Sequence, residues 1–370
     1  MRSKSFRLSC SSGLFFFILH IITYAQTPPE NFQYYLANNL PLEGKGWVET
    51  AGVFSRLPEK WRAAVSDEVW HLSQNSAGLA ITFQSDASVI KVRWRPRRDN
   101  HMPHMTDIGT KGLDLYIWSE KENVWRWVGS SKSWGSGPTY EAILAAGLDS
   151  CFKKFRLYLP LYDGLDSLWL GIPSYASIYP FKNSYKIAKP VVFYGTSITQ
   201  GGCASRPGMT YPAIIGRRLN VATINLGFSG AGKMELPMAQ LLAEIDAAAY
   251  VIDCLPNMTP EMVNERVVPF IRELRRLRPT TPIILVSSIE YENAWAVAET
   301  AQLLRAKNEN LLRAYKQLKH EKFKQLYLIK SSRMNNLTLD ATVDGVHLTD
   351  LGFVRLTDKI IPYLRKAVKS

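Results

Sequence analysis

Residues 189–200 read K-P-V-V-F-Y-G-T-S-I-T-Q. Val191 to Tyr194 are four consecutive β-branched and aromatic residues, the composition of a strand buried on both faces. Gly195 ends the run, and Thr196, Ser197 and Thr199 follow as a polar turn. Open α/β sheets bind ligands in the crevice beyond the carboxyl ends of their parallel strands. A serine at that point is therefore positioned to act as a nucleophile. The same letters also describe an ordinary strand-to-loop turn, where Gly, Ser and Thr are common. The C-terminal part of the chain separates the two readings.

There, Asp344-Gly345-Val346-His347 is followed by Leu348-Thr349 and by an amphipathic run over 350–369. An acyl-transfer serine needs a base to take its proton, and the base needs a carboxylate to orient it and offset its charge. A D-x-x-H spacing lets one short loop leading into the last helix supply both. Neither fragment is specific alone. Together, in the chain order Ser197, Asp344, His347, they nominate a Ser–His–Asp triad.

This set resembles the SGNH (GDSL-type) hydrolases, whose four sequence blocks give the family its letters. Gly195-Thr196-Ser197-Ile198-Thr199 matches the first block, with Thr196 where the family usually has Asp. Gly227, in Ile224-Asn225-Leu226-Gly227-Phe228-Ser229-Gly230, matches the glycine of the second. Asn257, in Asp253-Cys254-Leu255-Pro256-Asn257-Met258, resembles the third, with Leu255 and Met258 replacing its flanking Gly and Asp. Asp344 and His347 match the fourth. Upstream, Gly112-Leu113-Asp114-Leu115-Tyr116 resembles the G-x-D-L-Y stretch of an N-terminal β-domain that accompanies a subset of these hydrolases. The resemblance implies a flavodoxin-like parallel sheet with flanking helices and a nucleophilic Ser197 served by His347 and Asp344. It also implies an oxyanion hole made by the Ser197 and Gly227 N–H groups and the Asn257 amide. No metal and no cofactor are implied, because the triad and these donors suffice.

The chain changes character between Pro180 and Pro190. Before that point, short β-type runs at 79–83, 89–94, 113–118, 124–128, 155–159 and 167–170 are mostly separated by Gly, Pro, Asp or Asn. This predicts an all-β, jelly-roll-like sandwich over 26–185. Nine of the ten Trp lie there, which as large strand-favouring residues read first as sandwich core. Trp134, in a Gly- and Ser-rich loop, is the one best placed to stack on a sugar ring. The polar loop over 97–104 carries two histidines and could reach the cleft, but as a metal site it lacks a third ligand. After the change, strands at 191–194, 222–226, 250–254, 283–287 and 326–329 alternate with helices at 211–219, 236–247, 260–278 and 294–318. The terminal helix closes a domain over 186–370 with a parallel sheet. Ser197, Gly227 and Asn257 all fall just past strand ends on one edge of it, and Glu290 and Tyr291 follow the fourth strand.

Residues 1–25 read as a secretory signal. Arg2, Lys4 and Arg7 form a basic start, residues 14–22 an apolar run, and Thr23-Tyr24-Ala25 a cleavage site. The run is shorter than the ~20 residues of a spanning helix, so no stable membrane span is expected after cleavage; an uncleaved anchor is the alternative. The expected location is the periplasm or the exterior. The mature chain then keeps 42 basic against 32 acidic residues, a net charge of +10. These charges are scattered apart from clusters at 93–98 and 272–278, the second interleaved like a solvated helix face, so nucleic-acid binding is not expected. Cys151, Cys203 and Cys254 show neither a disulfide framework nor metal spacing, and no motif marks Cys203 as a nucleophile.

Two other motifs fail on single positions. Gly227 to Lys233 fits G-x-x-x-x-G-K, but Met234 stands where Mg²⁺ needs Ser or Thr. Asp340 to Gly345 begins like an EF-hand loop, but Leu351 occupies the position of its bidentate Glu. The alternatives that remain are a non-catalytic carbohydrate-binding protein and a lipase or thioesterase of the same fold. The reading that uses all three triad residues is an exported serine esterase. It would remove O-acyl groups, above all acetyl, from a carbohydrate through an acyl-enzyme.

Overall fold

The run of apolar residues at 191–194 is the strand Val191–Gly195, buried along its whole length in a five-stranded sheet. A computed structural model describes residues 31–132, 137–334 and 336–368 of the chain. The expected signal segment and Trp134 lie outside these described residues. Thr223–Gly227 flanks the first strand on one side; Ala249–Asp253, Ile283–Val286 and Leu326–Ile329 follow on the other, all parallel. The chain thus starts inside the sheet and moves first one way and then the other, which is the flavodoxin-like order with a switch point beside the first strand. Val192 and Tyr194 join the core on one face, Val191 and Phe193 the core on the other. Helices cover both faces, so the strand reads as a continuous apolar run and does not alternate.

The flanking helices are Tyr211–Leu219, Leu236–Ala243, Pro260–Leu277, Ala298–His320 and Asp350–Ala367. Thr259 caps the third, its side chain accepting from the Met262 N–H, with Pro260 in the first turn. The fourth begins four residues later than its composition suggests. Its expected first turn is spent on a loop in which the Glu292 N–H donates to the Gly345 carbonyl at 2.8 Å.

Upstream of the parallel sheet lie two antiparallel sheets. One has the spatial order Phe32–Leu36, Leu165–Pro173, Ile90–Pro96, Tyr140–Ala145. The other runs Ile178–Pro180, Ala80–Ser85, Lys153–Tyr158, Asp114–Ser119, Val124–Ser130, with Leu42–Glu43 also paired to Ala80–Ser85. Their shared core holds Trp94, fully buried, and Phe83 stacked on Phe155 at 4.8 Å. The reading of the tryptophans as sandwich core is only partly met. Trp47, Trp61 and Trp70 pack instead against the core of the parallel sheet, together with Leu57, Val65 and Val69. The segment between the second and third β-strands, which carries the helix Asp67–Ser73, therefore belongs physically to the α/β layer. From Phe32 onward the described residues form one compact unit. No helix among the described residues is long and apolar enough to cross a membrane.

Candidate active site

Ser197 opens a single helical turn, Ser197–Gln200, where the sequence suggested a polar loop. Thr196 caps it, its Oγ1 accepting from the Ile198 N–H at 3.2 Å. Thr and Asp both serve as N-caps, so the departure from the family's usual Asp keeps the local function. Packing of this turn on the strand ends needs glycine. A Cβ on Gly227 would lie 2.1 Å from the Gln200 nitrogen, and one on Gly195 would lie 2.1 Å from Thr199 Oγ1. Ser197 is left 7% exposed, and as the first residue of a helical turn its N–H has no acceptor within that turn.

The D-x-x-H loop is closed on itself. The Val343 N–H donates to the His347 carbonyl at 2.9 Å, and Thr342 bridges to Leu348. Gly345 takes φ +88°, a left-handed turn conformation that favours glycine. Asp344 Oδ1 accepts from the backbone N–H groups of Val346 at 3.1 Å and His347 at 2.8 Å. Its Oδ2 lies 2.7 Å from His347 Nδ1. On the far side of the ring, Nε2 lies 2.9 Å from Ser197 Oγ. Residues 150 positions apart thus form one continuous Ser–His–Asp line. Glu292, which the sequence reading passed over, braces the loop: its carboxylate accepts from the Asp340 N–H at 2.7 Å and from the Thr342 hydroxyl. Of the residues singled out after the fourth strand, Tyr291 hydrogen-bonds the Pro256 carbonyl, and Glu290 lines a separate cavity with Ser288 and Arg305.

The expected oxyanion donors fare differently. Gly227 needs correction: its N–H donates to Asn225 Oδ1 at 2.9 Å, and the same Asn225 amide donates to the Thr199 carbonyl at 2.7 Å. Gly227 is a packing glycine whose donor is already occupied. The Asn257 amide donates to the carbonyls of Phe228 at 3.2 Å and Gly232 at 3.3 Å, tying down the turn that follows Gly227. Gln200 holds the same turn, its Oε1 accepting from the Ser229 N–H at 3.0 Å. At the tip, Gly230 is exposed with φ +69° and open space around it.

The β-rich part contributes to this cleft. Tyr162 OH donates to the Ser197 carbonyl at 3.4 Å, and Leu161 accepts from Gln200. Of the two loop histidines, His101 turns away to Asp107 and Lys111. His104 reaches the site, its ring centre 5.6 Å from that of His347. Cys203 sits beside it with its Sγ 3.2 Å from the His104 carbonyl. Burial, together with the Asp344 charge, pushes the Cys203 thiol up to about 12, so it is a neutral thiol and no nucleophile at neutral pH. Asp253, the last residue of the strand Ala249–Asp253, is buried against Tyr211 and Thr199; burial pushes its carboxyl up to about 7.

Arg56 is the other residue absent from the motifs. It is fully enclosed, with no carboxylate partner among the described residues, and its guanidinium donates to four carbonyls: Asn75 at 3.0 Å, Leu72 at 2.7 Å, Asn225 at 3.1 Å and Gly227 at 2.8 Å. Burial lowers its pKa to about 9, which leaves it a cation at neutral pH. A lysine ammonium has only three donors, at a single point. Arg56→Lys therefore strands at least one buried carbonyl and is expected to lose about 1–3 kcal/mol of stability. A urea midpoint that does not move would refute this.

Comparison with known proteins agrees with the geometry. Residues 188–365 match the GDSL-like lipase/acylhydrolase family, and residues 32–178 match GxDLY, the N-terminus of SGNH-hydrolase-type esterases. No curated protein sequence matches the chain. A crystal structure from Bacteroides ovatus, described as a GDSL-like lipase, is 38% identical with a TM-score of 0.86, covering 92% of this chain and 98% of that one. A salicylyl-acyltransferase from a tetracycline biosynthetic pathway shares the fold at 16% identity and a TM-score of 0.69, covering 92% and 96%. A family two carbohydrate esterase from Cellvibrio japonicus does so at 10% identity and a TM-score of 0.58, covering 92% and 99%. These last two likenesses speak for the fold alone. The chain belongs to the SGNH/GDSL family of carboxylic ester hydrolases, with a GxDLY domain at its N-terminal side.

Proposed function

We propose that this protein is an exported serine esterase that removes small O-acyl groups, acetyl foremost, from a carbohydrate. The observation that carries the reading is the unbroken line from Ser197 Oγ to His347 Nε2 and from His347 Nδ1 to Asp344 Oδ2, at 2.9 and 2.7 Å. Ser197 Oγ attacks the ester carbonyl carbon while His347 Nε2 takes the hydroxyl proton. Asp344 holds the ring by its Nδ1–H and stabilises the imidazolium. The oxyanion that forms accepts from the Ser197 N–H and, in place of Gly227, from the N–H of Gly230 at the tip of the turn that Asn257 and Gln200 hold. The tetrahedral intermediate collapses by breaking its bond to the sugar oxygen, which takes the proton from His347 and leaves as a hydroxyl. Water then attacks the acyl-enzyme with His347 as base, and Ser197 leaves with the proton as the acid is released.

A small acyl group fits the crowding around the nucleophile. A Cβ on Gly202 would meet Tyr162 OH at 2.9 Å and His347 Cδ2 at 3.2 Å. The fold shared with carbohydrate esterases accords with a sugar ester. So does Trp295, 86% exposed on the loop that braces the triad loop. Export rests on the N-terminal pattern of basic start, apolar run and cleavage site. The test is acetate release from acetylated oligosaccharides, alongside aryl esters of increasing chain length. Acetyl esters are expected to exceed long-chain esters in kcat/KM by at least tenfold, a barrier difference of ~1.4 kcal/mol. A preference for long acyl chains would reject the reading in favour of a lipase.

A further inference from the structure

Three groups with metal-binding atoms meet at the mouth of the cleft, each delivered by a different part of the chain. His104 comes from the loop of the β-rich part, Cys203 from the turn after the nucleophile's helix, and His347 from the C-terminal loop. One ligand atom of each lies within 4.8 Å of the others. Cys203 is held there in a left-handed conformation, φ +69°, which non-glycine residues adopt infrequently. Its side chain is 7% exposed.

We propose that His104, Cys203 and His347 form an inhibitory site for Zn²⁺ or a similar borderline divalent cation, whose occupancy switches the triad off. Two imidazoles and a thiolate with one open position are a donor set suited to tetrahedral zinc. Bonds of about 2.0–2.3 Å put tetrahedral nitrogen and sulfur ligands roughly 3.3–3.6 Å apart, so a pair at the 4.8 Å limit must close by about 1.2–1.5 Å. Asp344 holds the His347 ring in place, so the closure falls to rotation of the His104 and Cys203 side chains. The outer contacts already match what a metal-bound histidine requires: Asp344 accepts from His347 Nδ1 at 2.7 Å, which fixes the tautomer and leaves Nε2 as the ligand atom. Cys203 loses its thiol proton to solvent as the metal–sulfur bond forms. The Nε2 lone pair that would receive the Ser197 proton is then committed to the metal. Metal binding and proton transfer compete for one electron pair, and no ligand has to leave the fold for the switch to work.

Inhibition rests on the reading of His347 as the base, whereas binding does not, and the two are read separately. Zn²⁺ titrated calorimetrically into the full chain is expected to fill one site, with parallel loss of aryl-acetate hydrolysis that EDTA restores. Cys203→Ser and His104→Gln should each weaken binding by no less than the ~10–100-fold typical of losing an outer-shell partner. Co²⁺ should give a thiolate charge-transfer absorption that persists in Cys151→Ser and vanishes in Cys203→Ser. Equal zinc affinity in wild type and both ligand variants, or a cobalt complex without thiolate absorption, would overturn the site. Tight binding at these three residues with hydrolysis intact would overturn the switch and the assignment of His347 together.

Discussion

Ser197→Ala and His347→Ala are each expected to lower kcat for acetyl esters by on the order of 10⁶-fold, and the double variant to be no slower than either alone. The reason is geometric. Ser197 Oγ is only 2.9 Å from His347 Nε2, so the hydroxyl and the imidazole act as one device; removing either leaves the other with no proton to receive or give. What survives is whatever the oxyanion donors and substrate binding provide. Since the Ser197 N–H belongs to the backbone, alanine keeps it. Ser197→Ala should therefore still bind acetylated oligosaccharide with little change in Kd, measurable by calorimetry. Additive losses in the double variant would mean that the two residues serve separate steps. Hydrolysis at the wild-type rate by Ser197→Ala would reduce the protein to a carbohydrate-binding module of hydrolase shape.

The hydrogen-bonded line of Ser197, His347 and Asp344 was legible because its residues are local in sequence at both ends. A strand exit carries Ser197, and one tight loop carries Asp344 and His347. The parallel sheet was equally legible, since strands covered on both faces are continuously apolar. The sandwich was read less completely, and its missed strands share a cause. Phe32–Leu36 and Tyr140–Ala145 are the two edges of one sheet, and Ile178–Pro180 is an edge of the other. Edge strands are partly solvated, and Gln33 and Glu141 break their apolar pattern. Gly227 misled for a different reason. A glycine past a strand end suits an anion site and a close backbone crossing equally well, and only the Asn225 side chain, which occupies its N–H, tells them apart. Arg56 carries no local signal at all, and His104 is marked only by its place in a polar loop, with nothing local to point to Cys203. Arg56 lies 171 positions from the Gly227 carbonyl it holds, and Cys203 stands 99 from the carbonyl of His104. Such long-range pairings exist only once the β-rich part has folded against the parallel sheet.

Asp344→Asn is the second large effect, expected at about 10⁴-fold in kcat with little change in the loop. An asparagine oxygen can keep both backbone contacts, from Val346 and His347 at 3.1 and 2.8 Å. Its amide nitrogen then faces His347 Nδ1 as a donor. The ring must answer with a lone pair at Nδ1, which moves its proton to Nε2, the atom that has to receive the Ser197 proton. The variant would be folded, with the wrong tautomer. Asp344→Ala imposes no tautomer but strips the loop of two backbone acceptors, so it should lose more stability than the asparagine variant. The pH dependence separates charge from geometry. Burial alone would raise the Asp344 carboxyl, but the His347 N–H, the His347 ring and the Val346 N–H outweigh it and hold it below the usual carboxylate range. A carboxyl whose folded pKa is depressed contributes stability that is present above its unfolded pKa and is lost as pH falls through the folded one. The stability gap between wild type and Asp344→Asn is therefore expected at neutral pH and should close in acid, below the normal titration of an aspartate. A gap that persists unchanged to the acid limit, or a variant within tenfold of wild-type turnover, would show that the Asp344 charge does not set the state of His347.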